Sequence, residues 1–93
     1  MQDQDIKKSL SESQNVLEKL EKWEIKEIEN VLLKTSEKFN SENNYPVQNR
    51  GFILWPLRVA LSGKQASASP FELADILGKE KTLKRISDAI NLL

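Results

Sequence analysis

Apolar residues recur along this chain at spacings of three and four, the period of helices with one buried face. Leu10, Val16, Leu17 and Leu20 predict a first helix over about Ser9 to Lys22, with Met1–Lys8 frayed ahead of it. Ile25, Ile28, Leu32, Thr35 and Phe39 step by three, four, three and four, and Val31 widens the stripe. That pattern predicts a second helix over Glu24–Phe39. Asn40, Ser41, Asn43, Asn44 and Pro46 are turn formers, so a break is expected from Asn40 to Asn49. A third helix follows over Asn49–Ser62, with Ile53, Leu57, Ala60 and Leu61 on its core side and a late start or kink at Pro56. Gly63 stops it, and Lys64–Ala68 reads as a loop. Ser69-Pro70-Phe71-Glu72 combines a capping serine, a proline suited to the first helical position and a glutamate placed for a capping box. The fourth helix starts there, carries Phe71, Leu73, Ala74, Ile76 and Leu77, and ends at Gly78. The fifth, Lys79–Leu92, puts Leu83, Ile86, Ile90 and Leu93 on one face and pairs Glu80 with Lys84 on the other. No strand-like alternation is sustained, so the expected fold class is all-α.

Length and composition narrow what such a bundle can do. A chain of 93 residues suits a single helical domain over 1–93, with an N-terminal helical hairpin (1–46) hinged to a C-terminal subdomain (47–93). No apolar run reaches the roughly 20 residues of a membrane span, and Met1–Ser13 lacks the apolar centre of a signal peptide. The expectation is a cytoplasmic protein with no membrane partner. Cysteine and histidine are both absent, which removes disulfides, thiolate zinc sites and every nucleophile–histidine arrangement. The glycines stand at 51, 63 and 78, too dispersed for a phosphate loop. Asp3-Gln4-Asp5 lacks the later glycine and glutamate of a calcium loop. No catalytic residue, metal site or cofactor is therefore expected in this chain. A stand-alone enzyme working through carboxylates is disfavoured, because no paired acids converge.

Net charge is zero, but the halves differ. Met1–Pro46 holds seven Lys/Arg against ten Asp/Glu, and Val47–Leu93 holds seven against four, together with every arginine. A basic half is compatible with nucleic-acid contact, although most helix charges are simply solvated. The informative window is Arg50 to Ser62, where two arginines, two aromatics and a proline crowd into one helix. Helical spacing puts Trp55, Arg58 and Ser62 on one face. An aromatic ring beside a planar guanidinium can stack on unpaired bases, bond their edges and neutralise phosphate. The competing reading is structural: Trp55 in the core and Arg58 paired with Glu72 or Asp75.

Three strings occur in order: W-P-L-R-V-A-L-S-G (Trp55–Gly63), S-P-F-E-L (Ser69–Leu73) and I-L-G-K-E-K-T-L-K-R-I (Ile76–Ile86). Together they resemble the C-terminal anticodon-binding domain of bacterial-type glutamate–tRNA ligases, the class I glutamyl-tRNA synthetases. W-E-I-K-E-I-E (Trp23–Glu29) is similar to that family's Trp-initiated helix. The resemblance implies a helical cage of about five helices that holds a tRNA anticodon loop. It also implies that the chain is one domain of a larger synthetase. Its partners would be glutamate-specific tRNA and the enzyme's own catalytic domain, which uses ATP and magnesium; DNA is not implied. By the same resemblance Arg58 is the anticodon-facing arginine and Ser67, with Ala68 to Pro70 beside it, is the base-contacting loop. Trp55 borders the pocket, and Ser62 shares its face. Arg50 and Lys64 are phosphate candidates by charge alone. The third string reads as structural: Leu77, Leu83 and Ile86 in the core, Gly78 as a helix stop, Lys79 and Arg85 paired with Glu72, Glu80 or Asp88. Two departures stand out: Glu24 occupies the usual Ser/Thr capping position after the tryptophan, and Ala68-Ser69 replaces a common Pro-Gly. The alternative function is a helical module that docks a partner helix in an apolar groove.

Overall fold

The computed structural model describes residues 2–46, 48–62 and 68–93. Five helices follow one another: α1 (Asp3–Glu18), α2 (Ile25–Glu42), α3 (Gly51–Ser62), α4 (Pro70–Leu77) and α5 (Lys79–Leu92). The described residues contain no strand. One core joins all five through Leu10 and Leu17 of α1, Ile28 and Leu32 of α2, Leu57 and Leu61 of α3, Ala74 of α4 and Ile86 of α5. Helix α1 packs on α2, α3 and α5, while α4 touches α2, α3 and α5. The two halves of the sequence are thus interleaved in one core.

The first helix departs from expectation at both ends. It begins at Asp3, where the Gln2 amide donates to the Asp5 carboxylate at 3.3 Å and both acids face the positive end of the helix dipole. It ends at Glu18, four residues before the expected Lys22. Its buried face includes Ser9 and Ser13 beside Leu10 and Leu17, and apolar periodicity could not reveal buried serines. Helix α2 also runs a turn beyond Phe39, to Glu42. The expected break therefore starts at Asn43, because Asn40 is a buried helical residue. Its amide nitrogen donates to the carbonyls of Pro46 (3.0 Å) and Asn49 (2.7 Å), pinning the connection to α3. Asn44 makes the reversal with a left-handed φ of 61°. Ile25, expected in the α2 stripe, is exposed, as is Ile76, one of the apolar residues of α4.

Helix α3 passes through Pro56 without a break, and Pro56 itself is buried. A proline has no amide to give the carbonyl four residues earlier, here that of Phe52. Ser9 supplies the missing donor from α1: its hydroxyl bonds the Phe52 oxygen at 2.7 Å. A buried serine in one helix thus offsets a proline in another.

The α1–α2 connection is fastened to the α4–α5 corner. Trp23 donates its indole N–H to the Ala74 carbonyl at 3.0 Å, and Lys79 Nζ donates to the Leu20 carbonyl at 2.8 Å. Gly78 sits at the corner with φ 84° and ψ 164°, closing α4 and opening α5 at once. That conformation is essentially reserved for glycine. The tryptophan and the Leu77-Gly78-Lys79 string are structural. Lys79 bonds a backbone carbonyl rather than Glu72, Glu80 or Asp88, because the end of α1 lies within its reach.

Candidate nucleic-acid interface

The third helix positions most of the candidate residues. Ile53, Leu57 and Leu61 enter the core, which turns Trp55, Arg58 and Ser62 towards the surface. Arg58 is half-buried and its Nε is fully enclosed, yet that nitrogen has no hydrogen-bond partner. Among the described residues the ion pairs are Lys22–Glu24 and Lys84–Asp88, both exposed, so Glu72 and Asp75 do not neutralise Arg58. The expected i,i+4 pair is likewise replaced, Lys84 reaching forward to Asp88 instead of back to Glu80. An enclosed N–H without a partner costs about 1–3 kcal/mol, and such groups call for a specific explanation. Ser62 donates its hydroxyl to the Arg58 carbonyl at 2.7 Å, one turn back along the same helix.

Trp55 occupies a different facet. It is 46% exposed and lines an apolar groove of about 560 Å³ between α1, α3 and α5. Its neighbours there include Ile6, Leu10, Val59, Ala89, Leu92 and Leu93, and Arg58 does not line the groove. Helical spacing alone joins Trp55 with Arg58; the packing of α1 and α5 against one flank of α3 parts them.

Pro70 is buried as the first residue of α4, with Ser69 before it accepting the Glu72 amide at 3.2 Å. Its ring orders the helix start and is not presented to solvent, contrary to a direct base contact. Arg50 is exposed just ahead of α3, and its carbonyl accepts the Ile53 and Leu54 amides at 3.2 and 2.9 Å. Ser67 and Lys64 lie outside the described residues. Arg85 was expected to pair with an acid, yet its guanidinium donates to the Leu61 carbonyl at 2.5 Å. That contact caps the negative end of α3. No local signal announces it, because donor and acceptor meet only through the α3–α5 packing. Among the described residues no group of three or more His, Cys, Asp or Glu side chains comes together, so no donor set for a metal is formed by them. No described helix is long and apolar enough to cross a membrane.

Comparison with known proteins agrees with this arrangement. The chain is 44% identical over 87 residues to a glutamate–tRNA ligase of Clostridium botulinum (strain Loch Maree), a match covering 92% of the chain and 16% of that protein. Glutamate–tRNA ligases of Clostridium acetobutylicum and Clostridium tetani are 38% and 36% identical over 86 residues, covering 91% of the chain and 16% of each relative. The chain spans about one-sixth of the length of these relatives. The sequence model of the anticodon binding domain matches residues 1–90, nearly the whole chain. With one all-helical core, an arginine that no described carboxylate neutralises and a family match over residues 1–90, the chain belongs to the anticodon binding domain family.

Proposed function

We propose that this domain binds the anticodon loop of a glutamate-accepting tRNA and does so as part of a cytoplasmic glutamate–tRNA ligase. The observation that carries the reading is Arg58: a half-buried guanidinium that no described carboxylate neutralises, on the helix that leads into the segment preceding α4. Its planar fork suits the edge of an unpaired base or a phosphate oxygen, and no carboxylate competes for it. Ser62, one turn on, and Ser67, before α4, would frame the same loop, while Arg50 and Lys64 would meet phosphates. Attachment of glutamate would take place in another part of the ligase, where ATP and magnesium bind. This domain would contribute affinity and orientation and no reacting group.

The test is titration of the chain with a glutamate-tRNA transcript at low salt, beside the Arg58→Ala and Arg58→Lys variants. Arg58→Ala lowers affinity by about 1–3 kcal/mol, the range for one bidentate or stacked contact. Lysine restores charge without the fork and so recovers only part of the loss. Binding that weakens as salt rises agrees with phosphate contacts. Equal affinity for a tRNA with a different anticodon, or no change on Arg58→Ala, refutes the reading.

A further inference from the structure

The C-terminal end of α3 carries Arg58 and Ser62, one turn apart, and its last turn holds no basic residue of its own. The last carbonyls of a helix have no amide partner within it and carry the negative end of its dipole. In α3 one of them is met from another helix: Arg85 of α5 donates to the Leu61 carbonyl. A bond from a charged donor is roughly twice as strong as a neutral one. The register of α5 sets the donor in place. Thr82 and Ile86, on either side of Arg85, are buried, and Thr82 donates its hydroxyl to the Ala74 carbonyl at 3.3 Å. No described carboxylate draws the guanidinium away, since Asp88 pairs with Lys84.

The Ser62 hydroxyl donates to the Arg58 carbonyl at 2.7 Å, so holding the Leu61 carbonyl holds the turn that closes on Arg58. Arg85 itself lies on another flank: it lines the groove with Trp55 and Asp88, and Arg58 does not. The acid beside it leaves no excess of positive charge there to attract a phosphate. We infer that Arg85 is a positioning residue for RNA binding: through the Leu61 carbonyl it fixes the end of α3, and with it the direction of Arg58, without touching RNA. This rests on the anticodon-loop reading above. A side chain that must be ordered as it binds costs affinity, so the bond acts by ordering Arg58 beforehand.

The experiment compares the chain with its Arg85→Met and Arg85→Lys variants, well below their melting temperatures. Methionine keeps an aliphatic stem against the groove and removes the donor, and lysine restores a charged donor. The first readout is the backbone order parameter by nitrogen-15 relaxation, without RNA. Arg85→Met lowers it at the end of α3 from about 0.85 to about 0.6–0.7 and leaves the middle of α2 unchanged, and Arg85→Lys restores it. Unchanged order at the end of α3, or an equal loss in α2, overturns the inference. The second readout is affinity for a glutamate-tRNA transcript. Arg85→Met weakens binding about three- to tenfold and leaves the slope of log affinity against log salt unchanged, and Arg85→Lys recovers most of the loss. In an Arg58→Ala background Arg85→Met weakens binding less than about twofold, because the side chain it orders is gone. A slope reduced by about 0.7–0.9 would mean that Arg85 meets a phosphate itself, and overturns the inference. So does a loss of full size in the Arg58→Ala background. The unsubstituted chain reports separately on the anticodon-loop reading: equal affinity for a tRNA with a different anticodon sinks that reading, while lost order at α3 in Arg85→Met leaves the clamp on the helix standing.

Discussion

Replacing Ser9 with alanine removes one hydroxyl from a site with no solvent access, leaving the Cβ and the packing in place. The Phe52 carbonyl then has neither the Ser9 donor nor, because residue 56 is proline, a helical amide. An unsatisfied group of this kind costs about 1–2 kcal/mol. A domain of this size loses about 4–8 °C of melting temperature per kcal/mol. The decisive measurement is a double-mutant cycle followed by urea unfolding and helical circular dichroism. Pro56→Ala carries its own penalty from lost ring contacts, but it gives residue 56 an amide aimed at Phe52. In that background Ser9→Ala should cost only about 0.5 kcal/mol, so the two substitutions couple by about 1 kcal/mol. Additive costs, within about 0.3 kcal/mol, would show that the serine does not serve the carbonyl freed by the proline.

Asn40→Ala deletes both bonds from the buried amide to the Pro46 and Asn49 carbonyls and should destabilise the fold by about 2 kcal/mol, with faster amide exchange at the α2–α3 connection. Gly78→Ala meets no steric obstacle, since nothing lies within 4 Å of an added Cβ, yet its φ of +84° should cost about 1–3 kcal/mol of unfolding free energy. Ser69→Ala removes the cap on the Glu72 amide and should cost about 1 kcal/mol, whereas Ser69→Asp should retain most of it.

Helix number and order, the Ser69 cap and the Gly78 corner were legible because each depends on residues close together in sequence. Periodicity marks a buried stripe, a capping side chain reaches three residues along, and a glycine permits its own backbone angles. The resemblance to the anticodon-binding domain was legible for the same reason, as ordered strings at fixed spacing. The end of α2 was misjudged because Asn40, a turn former by type, is buried inside the helix, and the burial of Ser9 and Ser13 in α1 is likewise hidden from an apolar pattern. Arg58 pointed to a surface role from the sequence, but its freedom from Glu72 and Asp75 depends on how α4 sits against α3. The parting of Trp55 from Arg58 depends on α1 and α5 closing over one flank of the same helix. Sequence spacing determines which residues share a helix face. Which neighbour covers that face, and so whether an exposed ring meets protein or nucleic acid, is decided by long-range packing between helices distant in the chain.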